Sequence, residues 1–218
     1  MRPPWKNNTL AINRQRHARR TGDGLSDGFL VEGFDYACGD SGRALKGGRF
    51  ERSLFFVHGR TGIGGWFATL DEVQSEAKDT DHFFLQPASE EPADPTDGLG
   101  LFRYRVNHHA RRPGVSVLVA FARRPEKVEQ GRVESGFLQR TPESGYHNRI
   151  EAVFRPDELG RCTILTLYYP LDKGMVEPAI RRVEGKGCQG LRMVSSNGTE
   201  DLILESDGQE VAQFEEIE

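Results

Sequence analysis

Residues 191–204 read LRMVSSNGTEDLIL. Two short apolar runs, Leu191–Val194 (LRMV) and Asp201–Leu204 (DLIL), flank Asn197-Gly198, a dipeptide favoured in tight β-hairpin turns because both positions tolerate positive φ. Asp207-Gly208 then marks a second turn before Glu210–Phe214 (EVAQF). Upstream, short β-branched or aromatic runs recur at Asn8–Asn13, Gly28–Phe34, Arg49–Val57, Gly64–Leu70 and His82–Gln86. They continue at Leu101–Val106, Ser116–Ala122, Arg149–Phe154 and Cys162–Tyr169. Gly, Pro, Asn or Asp closes each run, which is the behaviour of strands. No window sustains a helical apolar period over three turns; Glu72–Lys78 and Arg155–Leu159 each allow a single turn. About a dozen strands with almost no helix predict an all-β, large antiparallel sandwich of supersandwich type, built from two stacked sheets.

At 218 residues the chain is long enough for one sizeable core, and residues 1–218 are read as a single domain. The acidic, proline-bearing stretch Ser89–Asp97 (SEEPADPTD) reads as a solvated loop, with the same strand character on either side. A net charge of −4 gives no bulk attraction to nucleic acid. No apolar stretch approaches the ~20 residues that span a bilayer, and Met1–Lys6 has no apolar core of a signal peptide. Cys38, Cys162 and Cys188 form no CxxC pair and read as buried thiols, with one bridge left open. There is no G-x-S-x-G elbow, P-loop or post-strand G-x-G-x-x-G, which disfavours hydrolase and nucleotide chemistry.

The densest basic run is Arg14–Arg20 (RQRHARR). Arg14, Arg16, His17, Arg19 and Arg20 suit sulfate or uronate groups, since a guanidinium donates two parallel hydrogen bonds to a planar anion. The plainer reading is a solvated loop. His108-His109-Ala110-Arg111-Arg112 allows a second basic patch, although adjacent histidines on a strand point to opposite faces. Tyr146-His147-Asn148-Arg149 holds residue types suited to β-elimination, but their adjacency favours a loop. Trp5 and Trp66 are able to stack on sugar rings, and Trp66, inside an apolar strand, reads as core.

The order of motifs carries a resemblance. Lys6-Asn7-Asn8-Thr9-Leu10-Ala11-Ile12 precedes the strand Phe29–Phe34, then Tyr36-Ala37-Cys38-Gly39-Asp40-Ser41 and Arg43-Ala44-Leu45. The strands Phe50–Val57 and Trp66–Val73 close the series. This succession resembles the β-sandwich half of heparinase II/III-like polysaccharide lyases. It is clearest over Lys6–Pro92, with Leu165–Pro170 and Gly198–Leu204 compatible beyond that.

The resemblance implies an α-helical toroid that supplies a catalytic tyrosine and an asparagine or histidine for β-elimination. Only six residues precede the first strand segment, so that toroid is expected to be a separate domain or subunit and this chain to be inactive alone. The family metal site maps onto Asn7, Asp40 and Gln86, with His82 as a near candidate. Neutral amides are poor replacements for imidazole, so zinc or calcium is possible but not favoured, and Asp40 is expected to serve its turn instead. The implied partner is an acidic polysaccharide met by Asn7, Asn8, Arg14, Arg16 and Arg19. For Asn7 and Asn8, capping of local backbone groups is the plainer reading. A periplasmic or envelope location follows from the resemblance alone. The alternatives are a free-standing carbohydrate-binding or envelope module, or a small complete lyase using Tyr146 or His147.

Overall fold

The computed structural model describes residues 8–20, 22–59, 64–87, 89, 91–96, 100–106, 115–134, 146–185, 188–195, 198–205 and 214–217. No helix occurs among them, and none is long and apolar enough to cross a membrane. The strands are β1 (Thr9–Ile12), β2 (Gly24–Val31), β3 (Phe34–Asp40), β4 (Arg49–Val57), β5 (Trp66–Gln74), β6 (Asp81–Leu85), β7 (Asp94–Pro95) and β8 (Leu101–Arg105). They continue as β9 (Ser116–Phe121), β10 (Lys127–Glu134), β11 (Tyr146–Phe154), β12 (Arg161–Leu171), β13 (Ala179–Gly185), β14 (Cys188–Ser195), β15 (Gly198–Glu205) and β16 (Phe214–Ile217).

The all-β prediction holds, but the layers number three. An eight-stranded sheet, β2-β3-β4-β5-β12-β9-β8-β7, lies between two four-stranded sheets, β1-β6-β11-β10 and β15-β14-β13-β16. The physical reason is visible in β5, β9 and β12, which are apolar on both faces and therefore need cover on both. Alternate residues serve different cores. Val73, Val119, Phe121, Cys162 and Ile164 pack with Leu10, Phe83, Ile150 and Phe154 of the first outer sheet. Trp66, Ala68, Leu118, Ala120, Leu165 and Leu167 pack instead with Leu191 and Met193 of the other. Trp66 is core, as expected. Phe121 centres the first core, edge-to-face against Phe83, Phe102 and Phe154 at 5.5, 6.3 and 5.5 Å.

Several local readings change. Tyr146–Arg149 is not a loop but the start of β11, paired antiparallel with β10, and β11 pairs with β6 as well from Ile150 onward. The single turns read at Glu72–Lys78 and Arg155–Leu159 are not helical, and Glu72–Gln74 belongs to β5. Ser89 and Ala93 are buried rather than solvated. The Gln130 side chain accepts from Ala93 N and donates to Ala93 O, both at 2.8 Å, and Asn148 N donates to Ser89 O at 2.7 Å. The expected hairpin is present as β14–β15, but Gly198, read as a turn position, is the first residue of β15 and stands opposite Ser195. Its third neighbour differs: β16 joins β13, on the far side of the sheet from β15. All three thiols are buried and free.

Candidate functional site

β1 ends in a turn whose backbone carries two consecutive left-handed residues that are not glycine, Asn13 at φ 49° and Arg14 at φ 55°. That conformation costs ~1 kcal/mol or more per residue, so something must hold it. Asn13 does so with its own side chain. Its Nδ2 donates to Asp79 Oδ1 at 2.6 Å, and its Oδ1 accepts from Thr80 N and Oγ1 at 2.9 and 3.2 Å. The turn thereby aims Arg14 back across the sheet, where Nη2 donates to Glu151 Oε2 at 3.0 Å.

Glu151 owes its position to strand alternation. Ile150, Ala152 and Phe154 of β11 enter the first core, so His147, Arg149 and Glu151 face the other way. On β6, Phe83 and Leu85 point inward while His82 and Phe84 share the face of Glu151. His82 Nδ1 lies 2.8 Å from Glu151 Oε1, and His82 Nε2 lies 2.9 Å from Thr80 Oγ1. Arg149 adds a longer ion pair to Glu151 Oε2 at 3.7 Å. Gly131 of β10 stands opposite Arg149, and a Cβ there would come within 3.0 Å of Arg149 Nη2, so the glycine makes room for the guanidinium. Glu151 is 1% exposed and His82 9%, and Ala11 and Phe84 on the same face are fully buried. A buried carboxylate is tolerated here because both oxygens are met by donors from three directions.

Farther along the same face, His147 Nε2 sits 2.6 Å from Gln86 Oε1, and Gln86 N donates to Asn8 Oδ1 at 2.6 Å. Asn8 thus caps a local backbone group, at an exposed position. Beyond Arg14 the basic loop stays near the sheet through His17, whose Nε2 is 2.8 Å from Leu10 O, and through Ala18 N, which donates to Ala44 O at 2.8 Å. Arg16 and Arg19 are exposed and make no hydrogen bond or ion pair among the described residues.

The structure therefore brings together Asn8, Arg14, His82 and Gln86 along one face and joins them to Glu151, Arg149 and His147. Asp40 is elsewhere, at the end of β3. Its carboxylate accepts Gly42 N at 2.7 Å and the Arg49 fork, with Arg49 Nε at 2.7 Å, which holds its pKa below the usual carboxylate range. Asp40 thus takes the turn role expected of it. No group of three or more His, Cys, Asp or Glu able to hold a metal occurs among the described residues. Asn7, Trp5 and the His108–Arg112 patch lie outside the described residues.

Glu151 was missed by sequence reasoning. Within RIEAVF it occupies the alternation slot of a solvent-facing residue, and nothing local marks that face as covered. The one available signal was a glutamate two residues from an arginine on a strand beside a histidine-bearing strand.

No family model matches the sequence, and no curated protein matches it. Solved structures do share the fold. A heparan sulfate lyase, HepC from Pedobacter heparinus, superposes with a TM-score of 0.71 at 11% identity, over 96% of this chain and 32% of that one. A heparinase III gene product gives a TM-score of 0.64 at 14% identity, over 91% of this chain and 30% of that one. Another heparinase III gives 0.61 at 12% identity, over 91% and 29%. The chain spans about a third of the length of these structures, and the β-sandwich resemblance read from the sequence is borne out in the fold.

Proposed function

We propose that this chain is a β-sandwich module of a heparinase-like polysaccharide lyase that contributes to binding an acidic glycan and is not catalytic by itself. The observation that carries this reading is the basic loop after β1. Arg14 is fixed in a strained conformation on a buried carboxylate, and Arg16 and Arg19 extend beyond it, exposed and unengaged among the described residues. An anchored loop with spare guanidinium groups loses little conformational freedom on meeting sulfate or carboxylate, which favours affinity. The fold shared with a heparan sulfate lyase supports the choice of a sulfated or uronate-bearing polymer. Asn8, exposed beside the loop, and Asn7 are the polar neighbours this reading assigns to the glycan. The catalytic groups would come from an α-helical toroid, as a domain or subunit, and a periplasmic or envelope location goes with that role.

The test is binding of heparan sulfate at two salt concentrations by the wild type and by Arg16→Ala/Arg19→Ala. The double variant is expected to bind more weakly, with a salt slope shallower by about two counterions, one for each lost contact. Unchanged affinity and slope would remove this loop from the glycan site. Release of unsaturated, ultraviolet-absorbing product by the chain alone would overturn the non-catalytic reading.

A further inference from the structure

On the opposite side of the central sheet, an open cleft of about 1050 Å³ lies where the third sheet stops short of covering it. Its floor consists of two cross-strand rows. Arg49, Gln74 and Arg161 stand side by side on β4, β5 and β12, and Glu51, Glu72 and Thr163 form the next row. Gln189 of β14 closes one wall, and Arg123 and Asp157 close another.

The second row is the anomaly. Glu51 and Glu72 are directly opposed on neighbouring strands, and neither carboxylate has a hydrogen bond or ion-pair partner among the described residues. Like charges so placed repel, and they leave two acceptors open to the cleft. Arg49 attracts Glu51 without pairing with it, and none of the arginines beside the row forms an ion pair with either carboxylate, because each is engaged elsewhere. Arg49 holds Asp40, Arg161 Nε donates to Asp157 Oδ2 at 3.1 Å, and Arg123 Nη2 donates to Arg155 O at 2.8 Å. Gln74, which lines the cleft, spends its amide N–H groups on Ser75 O and Leu159 O, which leaves its carbonyl oxygen as an acceptor.

We infer that this cleft is a second carbohydrate site, taking an uncharged oligosaccharide. The chemistry of the floor selects that class. Three arginines and three carboxylates line the cleft, so its net charge is near zero, and the groups left over are mostly acceptors: Glu51, Glu72 and the Gln74 carbonyl. A polyanion would meet the two unpaired carboxylates first and be repelled. Sugar hydroxyls donate to carboxylates and accept from the Gln189 amide and the remaining guanidinium N–H groups, so a polyol satisfies both sets.

The same face supplies an apolar platform. Phe55 lies four residues along β4 from Glu51, ~13 Å on a strand. Its ring contacts Tyr36 at 5.4 Å, Tyr36 contacts Phe29 at 5.2 Å, and Phe29 is half-exposed at the sheet edge. These rings offer the C–H faces of sugars a surface of the right polarity, and the distance requires more than one sugar unit. This inference stands apart from the acidic-glycan reading, since it uses another face and the opposite charge preference.

The experiment is titration of the whole chain, with 15N-labelled backbone, against cellohexaose, mannohexaose and chitohexaose. Binding of at least one is expected, with shifts confined to the β4–β5–β12 rows and no change in affinity between low and high salt. Glu51→Gln/Glu72→Gln is expected to weaken that binding at least five-fold without loss of fold. Phe29→Ser, a half-exposed position, is expected to weaken it without loss of fold. Absence of shifts with all three sugars, or displacement of a bound one by heparan sulfate, would overturn the proposal. So would a double variant that binds as tightly as the wild type.

Discussion

His82 and Glu151, 69 positions apart in sequence, meet at 2.8 Å on neighbouring strands of the first outer sheet. The pair is the hinge point of the candidate site, because Glu151 also receives Arg14 and Arg149. Removing the carboxylate strands three donors at once. Glu151→Ala is therefore expected to lower unfolding stability by about 3–5 kcal/mol in denaturant titration. Arg14→Ala, which deletes a half-exposed partner and relieves no burial, is expected to cost under half of that.

Asp81 is fully buried beside this cluster, and among the described residues only Ser75 and Cys162 approach its carboxylate, neither with good hydrogen-bond geometry. Burial pushes its pKa up from 3.8 to about 6. The folded state thus binds the proton more tightly than the unfolded one. Stability is unpenalised below about pH 4, falls as pH rises to about 6, and carries roughly 3 kcal/mol of penalty above that. Asp81→Asn is expected to remove this decline and to raise the melting temperature at pH 7 more than at pH 4.

Asp40 shows the opposite sign. The Arg49 fork first, and Gly42 N second, hold its pKa below the usual range. The stabilisation it provides is complete above the unfolded carboxylate's range, near pH 4, and is lost as pH falls through the folded value. Asp40→Asn is expected to reduce stability at pH 7 by about 1 kcal/mol and to leave it unchanged at the acid end, as read from unfolding at the two pH values.

Gly160 combines two constraints. Its φ is +78°, and a Cβ there would fall 2.0 Å from Ser75 O, the backbone of the strand exit that it hydrogen-bonds. Gly160→Ala is expected to cost about 2 kcal/mol or more in denaturant unfolding, with no effect on heparan sulfate binding at the far sheet.

Strand identity was legible because β-branched and aromatic runs closed by turn residues admit little else. The hairpin was legible from Asn197-Gly198, but its register was not: Gly198 pairs with Ser195 as the first residue of β15. The number of layers was also present in principle, in the doubly apolar runs Trp66–Leu70 and Cys162–Tyr169, yet a two-sheet sandwich explains single-face alternation equally well. The site was half legible. Arg14, Arg16 and Arg19 were visible as a basic run, and His82 and Gln86 through the resemblance. Glu151 was not, since its burial depends on a loop from residues 137 positions away folding over the strand. Tyr146–Arg149 misled for a local reason: polar residues after Ser144-Gly145 look like a turn until β10 is seen to pair with them.

The middle sheet has a mechanical consequence. β5, β9 and β12 give alternate side chains to two cores, so a shift in any one of these strands is felt on both sides of the molecule at once. Loosening the sheet that carries Leu191 and Met193 exposes the reverse side of the same strands that support the first core. The face proposed for the acidic glycan and the face proposed for the neutral one are thus bolted to one plate. Occupation of either is expected to slow amide exchange in strands shared with the other, a stiffening passed through the plate without any change in its shape.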